Sequence, residues 1–278
     1  CRFVHERLVS ASKVTRLHAD RLRLGLGLDG LVDAHVPFCV ELSLGHGVRE
    51  RRPARDAQRQ RLAESFEAAL ELVYAAKQAG ADAIKLQTYT PDTITIDSRR
   101  PEFLIGKGSL WEGRNLYELY GEAYTPWEWQ PKLKAEAEKL GMDCFSTPFD
   151  DTAVDFLEGM NVPAHKIASF ELVDNELLKK VAATGKPVIM STGMSTLAEI
   201  DEAVRTLREA GCTQLALLKC TSAYPSLPED MNLRTIPHLA EAFHAPVGLS
   251  DHTLGIAVPV AAVALGACII EKHLTLRR

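Results

Sequence analysis

No apolar run in this 278-residue sequence reaches the ~18–20 residues that a helix needs to cross a bilayer. "GIAVPVAAVALGACII" comes nearest, and Pro259 together with Gly255 and Gly266 breaks it. The start shows no basic–apolar–small cleavage pattern, so no export signal is read there. No CxxC pair occurs among Cys1, Cys39, Cys144, Cys212, Cys220 and Cys268, which removes the spacing of a zinc ribbon or a redox motif. Most of these cysteines sit in apolar, strand-like contexts, as reduced core thiols do, and a reducing cytoplasm is expected. Aromatic residues are few, at 6%, and none interleaves with the arginines of "RERRPARDAQRQR" (49–61). Without stacking rings or a recognition fold around it, that run reads as a solvated insertion. Neither a nucleic-acid nor a membrane partner is expected.

What is present is a globular composition, 46% hydrophobic and 25% charged, with a net charge of −5 that is unevenly spread. Residues 1–61 hold 12 Lys+Arg against 7 Asp+Glu, and eleven of those twelve cations are arginine. The remainder is acidic and uses lysine more than arginine. This break in composition sets off residues 1–36 as an atypical extension and 45–61 as an arginine-rich insertion in a domain spanning 37–278.

From residue 62 onward one unit repeats: a helical stretch, a glycine stop, then a short apolar strand. "ELVYAAKQAGADAIKLQTY" shows it first, and "KLKAEAEKLGMDCFSTPF", "LLKKVAATGKPVIMST", "VRTLREAGCTQLALLKCT" and "AVALGACIIEKHLT" follow. The strands are nearly continuous apolar runs, the pattern of parallel strands covered on both faces. They are expected near 37–44, 83–89, 143–148, 165–169, 187–192, 215–221, 246–251 and 268–273. Eight such units predict an α/β fold, a (β/α)8 TIM barrel, with a doubly wound open sheet as the alternative. No helix follows the eighth strand before Arg278, so the barrel is expected to be incomplete at its C-terminus.

Almost every strand turns polar at its carboxyl end, where both architectures gather their chemistry. The residues are Glu41; Lys85 and Gln87; Ser146 and Thr147; Lys166 and Ser169; Ser191 and Thr192; Lys219, Thr221 and Ser222; Ser250 and His252; Glu271 and His273. All are expected to line one pocket. Lys85 and Lys166 with the hydroxyls of Thr147, Ser191 and Ser250 make a receptacle for a phosphate or carboxylate. His252 and His273, ending neighbouring strands, suit one divalent metal with positions left open for substrate. Glu171 and Glu271 are candidates to move protons or order a water. Plainer readings compete: a strand-end lysine can snorkel to solvent, and a strand-end serine or threonine can cap the next helix. In "STGMSTLAEI", Ser195 or Thr196 suits that role. "YTPWEW" is read as a helix start, with Thr125 as cap, Pro126 in the first turn and the tryptophans packing.

From about residue 66 to 276 the chain resembles the sialic acid synthase family, and within it the pseudaminic acid branch. The resemblance rests on "AGADAIKLQTYTPDT", "YTPWEW", "STPFDDTAVDFLE", "VPAHKIASFELVD", "GKPVIMSTGM", "LLKCTSAYP", "NLRTIPHL", "PVGLSDHTLGIAVPVAAVALGA" and "IEKHLT". It implies condensation of phosphoenolpyruvate with an open-chain acetamido sugar, releasing phosphate. In the pseudaminic branch the sugar is 2,4-diacetamido-2,4,6-trideoxy-altrose; legionaminic and N-acetylneuraminic acid synthesis are the alternatives. By resemblance, Lys85, Thr147, Lys166, Ser191 and Ser250 hold phosphoenolpyruvate. Gln87 and Tyr224 meet the sugar, and Ser222 stands where the N-acetylneuraminate branch has asparagine. His252 and His273 bind Mn²⁺, with Mg²⁺ or Co²⁺ as alternatives. Glu171 and Glu41 order the attacking water, and Glu271 supports the metal histidines. The family is a homodimer, with a C-terminal antifreeze-like domain that this sequence lacks. At the first strand, "ELSLGHG" keeps Glu41, Ser43 and His46 but has Gly45 where the family has asparagine. A chain lacking those parts could also be a non-catalytic remnant that binds phosphoenolpyruvate and metal.

Overall fold

The computed structural model describes residues 38–42, 66–106 and 112–276, and among the first five the side chain of Cys39 alone. The expected extension over 1–36 and the insertion at 45–61, with Ser43, Gly45 and His46, lie outside the described residues. Eight strands form: β1 Phe38–Leu42, β2 Ala83–Thr88, β3 Asp143–Pro148, β4 His165–Ile167, β5 Val188–Ser191, β6 Leu215–Cys220, β7 Val247–Asp251 and β8 Ile270–Leu274. Each pairs in parallel with its neighbours in chain order, and β1 pairs with β8 as well as with β2. That last pairing closes the sheet into a barrel and rules out an open doubly wound sheet.

Helices return the chain between strands: α1 Phe66–Gln78, α2 Gln130–Lys139, α3 Asp151–Gly159, α4 Asn175–Ala182, α5 Leu197–Glu209, α6 Thr235–Phe243 and α7 Ala257–Ala264. The sequence signals for their ends operate as read. Thr196 caps α5 in a reciprocal capping box with Glu199. After α1, Gly80 takes φ +83°, a left-handed conformation that carries a Cβ penalty in other residues. The "YTPWEW" segment differs from its expected form. Trp127–Trp129 is a 3-10 turn after Pro126, no side chain caps it, and α2 begins only at Gln130. Thr125 is buried instead.

The two-residue period of a strand divides each carboxyl end between two faces. Cys39, Ala83, Phe145, Ile189, Ala216, Leu218 and Ile269 share one apolar cluster. Two residues further along their strands stand Lys85, Thr147, Ser191, Cys220 and Glu271, which places a polar layer directly over an apolar floor. Residues on the alternate positions pack toward the helices, as Val188, Met190, Leu215, Leu217, Val247 and Leu249 do in the largest cluster. Strand-end polar residues therefore do not all line one pocket, contrary to the sequence reading. Ser146 bonds to Thr88 on the helix side, and the Lys219 ammonium donates to the Cys220 carbonyl and the Thr221 hydroxyl. Thr192 likewise donates to the Leu218 carbonyl.

Candidate active site

β2, β4, β5, β7 and β8 bring five side chains into direct contact at the carboxyl end of the barrel. Lys85 Nζ lies 2.9 Å from Glu271 Oε1, and Lys166 Nζ lies 3.7 Å from the same oxygen. Ser250 Oγ donates to that oxygen at 3.0 Å. Lys166 Nζ also donates to Ser191 Oγ at 2.7 Å and to the Ile167 carbonyl at 3.1 Å. Both lysines are buried, at 3% and 1% exposure, so neither snorkels to solvent. Burying an ammonium is costly unless an anion and hydrogen-bond acceptors replace its water. Glu271 supplies that charge, and its carboxylate is engaged on the lysine side of the mouth.

Thr147 and Gln87 are register partners across β3 and β2. Thr147 Oγ1 is buried and makes no hydrogen bond to another protein group. Glu171 begins a 3-10 turn just after β4, and its Oε2 is likewise buried without a hydrogen-bond partner. Burial pushes the Glu171 carboxyl up to about 7, against the opposing pull of a backbone hydrogen bond and of the Lys166 charge. Tyr120, from the connection between β2 and α2, is raised by burial and by the nearby Glu171 carboxylate. Glu41 is placed by its backbone, opposite Lys85 on one side and His273 on the other.

A cluster of three rings occupies the β6–β7–β8 side. His252 and His273 have centroids 5.1 Å apart; Tyr224 stacks over His252 at 4.1 Å and meets His273 edge-on at 5.6 Å. His252 Nδ1 lies 2.8 Å from the Thr221 carbonyl oxygen. A carbonyl only accepts, so Nδ1 carries the proton, the kind of bond that orients the ring of a metal-binding histidine. Among the described residues no group of three His, Cys, Asp or Glu gathers as a metal cage. Two imidazoles so arranged fit a cation whose remaining ligands are water or substrate oxygens.

Residues the sequence reading passed over complete the mouth. Gly193, in "STGM", donates its N–H to Ser169 Oγ at 3.0 Å. A Cβ there would lie 2.3 Å from Ser222 Oγ and 2.8 Å from Ser169 Oγ, so glycine is what allows both serines to close around it. Cys220, read as a core thiol, is buried beside Ser222. Burial makes the thiol a weaker acid, but the His252 ring, Ser169 and Lys166 outweigh that and hold it near 7.

A closed parallel barrel whose strands end in two buried lysines, several hydroxyls and an imidazole pair places this chain in the (β/α)-barrel class. The chain belongs to the NeuB family, which matches residues 72–278. It is 49% identical over 214 residues to a pseudaminic acid synthase of Campylobacter jejuni subsp. jejuni, covering 77% of this chain and 62% of that protein. To the pseudaminic acid synthase of Helicobacter pylori it is 47% identical over 210 residues, 76% of this chain and 62% of the relative. The chain thus spans less than two thirds of the length of these curated relatives. The crystal structure of the N-acetylneuraminic acid synthetase of Leptospira borgpetersenii serovar Hardjo-bovis, in complex with citrate, superposes with a TM-score of 0.72. That match is 30% identical and covers 87% of this chain and 74% of the other.

Proposed function

We propose that this chain is the catalytic barrel of a pseudaminic acid synthase, condensing phosphoenolpyruvate with 2,4-diacetamido-2,4,6-trideoxy-altrose to give pseudaminic acid and phosphate. The observation that carries the reading is the pair of buried lysines meeting on one carboxylate oxygen, beside a buried Thr147 hydroxyl that no protein group engages. Such a receptacle suits a small molecule bearing both a phosphate and a carboxylate. Identities of 47% and 49% to the two pseudaminic acid synthases favour that branch.

In this reading Lys85, Lys166, Thr147, Ser191 and Ser250 hold phosphoenolpyruvate, with Glu271 orienting the lysines. Gln87, Ser222 and Tyr224 face the sugar. His252 and His273 would hold a divalent cation, Mn²⁺ by preference and Mg²⁺ or Co²⁺ as alternatives. Bound there, a cation supplies Lewis-acid polarisation of a carbonyl oxygen. The C2=C3 π pair of phosphoenolpyruvate forms the new bond from C3 to the sugar's aldehyde carbon, and the aldehyde oxygen takes a proton from solvent to become a hydroxyl. Positive charge develops at C2, where the oxygen of a water adds. Glu171, near 7 and therefore able to exchange a proton at neutral pH, takes the proton of that water; Glu41 is the other carboxylate available. The tetrahedral intermediate then expels phosphate by cleavage of its C–O bond, leaving the 2-keto acid. A cytoplasmic location belongs to the same reading, supported by described cysteines that are all free thiols. So does a homodimer, supported by Leu254 and Ile256, 81% and 77% exposed after β7.

Phosphate release from phosphoenolpyruvate by the purified chain with Mn²⁺ tests the proposal. The altrose derivative and N-acetylmannosamine are offered in parallel, with His252→Ala as control. Release with the altrose derivative that is lost in the control supports the reading. Preference for N-acetylmannosamine moves the chain to another branch, and bound phosphoenolpyruvate without turnover marks a non-catalytic remnant.

A further inference from the structure

Three polar side chains are sealed between the barrel wall and α2, where apolar residues would pack. Thr88, Gln130 and Ser146 are 0%, 0% and 1% exposed. Thr88 Oγ1 donates to Gln130 Oε1 at 2.8 Å and lies 2.7 Å from Ser146 Oγ. Its one proton is committed to Gln130, so Ser146 is the donor in the second bond. Gln130 Nε2 in turn donates to the Gln87 carbonyl at 3.3 Å. Three residues earlier Trp127 Nε1 donates to the Tyr89 carbonyl at 3.1 Å. Among the described residues the last register pair between β1 and β2 is Glu41 with Lys85, and the carbonyls at 87 and 89 are held by side chains of the 127–130 turn.

A buried polar network adds little net stability over well-packed apolar groups, but when fully satisfied it fixes one geometry. What this one fixes is the end of β2 against the end of β3. Thr88 and Ser146 face the helix; their chain neighbours Gln87 and Thr147 are paired in register on the opposite face. We propose that the Trp127–Gln130 turn is a clamp that sets Gln87 in the mouth. Gln130 is then a positioning residue that determines how tightly the acetamido sugar is held, while the lysine side of the pocket is left alone. This rests on the functional reading above for the identity of the ligand at Gln87, though the clamp itself is a matter of geometry.

The test is a double-mutant cycle of Gln130→Met with Gln87→Ala, read as KM for each substrate. Gln130→Met is expected to raise the KM of the sugar about ten-fold, the scale of a small misplacement of a binding group. The KM of phosphoenolpyruvate should move less than about two-fold. In the Gln87→Ala background the substitution should add nothing. Equal rises in both KM values, or additive effects in the cycle, overturn the proposal, because a merely structural role gives either. Thr88→Val, which removes one link and keeps the shape, reproduces the effect in milder form should Gln130→Met fold poorly. A crystal structure of either variant decides independently of turnover. Displacement of the Gln87 side chain supports the clamp, and an unmoved Gln87 overturns it. A wild-type chain that turns over no sugar counts against the functional reading, and the structural measurement still judges the clamp.

Discussion

Lys85 on β2 and Glu271 on β8 meet at 2.9 Å with both side chains 4% exposed, and Lys166 from β4 approaches the same carboxylate oxygen at 3.7 Å. Replacing one carboxylate by an amide leaves two buried ammonium groups without the charge that compensates them. Glu271→Gln is expected to destabilise the fold by about 3 kcal/mol, the range for breaking a buried ion pair. Inorganic phosphate should restore part of that loss, because it supplies the missing charge at the same lysines. Thermal melts with and without phosphate check this. A variant melting with the wild type, or one indifferent to phosphate, would show that Glu271 does not balance the lysines.

Glu171 gives a prediction in which activity and stability move oppositely. Its carboxyl is raised by burial to about 7 from an unfolded value of 4.5, so the native state holds the proton more tightly than the unfolded chain. Its contribution to stability is therefore greatest below about pH 4.5 and is lost as pH rises through about 7. Glu171→Gln removes this cost. At pH 8 the variant should melt about 2–4 °C higher than the wild type, while sugar-dependent phosphate release falls by about 10²–10⁴-fold. In the wild type the rate should rise with pH through about 7.

His165 predicts the opposite slope. The ring is fully buried, its Nε2 lies 2.8 Å from Glu158 Oε1, and its Nδ1 has no hydrogen-bond partner. Lys186 lies 2.9 Å from the same Glu158 oxygen. Burial lowers the histidine below its usual range, with Glu158 opposing and Lys186 adding to the shift. The unfolded chain thus binds the proton more tightly, and stability falls as pH drops through the ordinary histidine range near 6.5. Urea midpoints measured from pH 7.5 to 5.5 should decline in the wild type and flatten in His165→Asn. A parallel decline in both would assign the acid sensitivity elsewhere.

Gly248 in β7 has backbone against it: a Cβ there would lie 2.3 Å from the Ile269 carbonyl oxygen and 2.7 Å from Leu218 Cδ2. Gly248→Ala should cost about 1–3 kcal/mol, the range for overpacking a filled core. Gly159, exposed near the end of α3 with nothing near its Cβ position, is the control, and Gly159→Ala should be neutral or slightly stabilising. Denaturant midpoints of the two variants separate the cases, and equal midpoints would mean that β7 and β8 can part without cost.

The barrel and the polar ends of its strands were legible in the sequence because both follow from short-range rules. Apolar strands alternating with glycine-stopped helices dictate parallel βα units. The two-residue period then carries each strand from an apolar floor to Lys85, Thr147, Ser191 and Glu271 at the mouth. Ser195 or Thr196 could be read as a helix cap, and Thr196 takes that role because its partner Glu199 lies only three residues on. The tertiary structure alone decided which face a strand-end residue takes and what it touches. Ser146 and Lys219 looked like pocket residues and turned to the helix side. Glu271 carried no sign in the sequence that it would engage Lys85 and Lys166. Gln130 carried no signal at all, because its partner Thr88 lies 42 residues away along the chain. Contacts at such separations depend on barrel closure and strand register, and closure places side chains together that no local pattern of apolar and polar residues encodes.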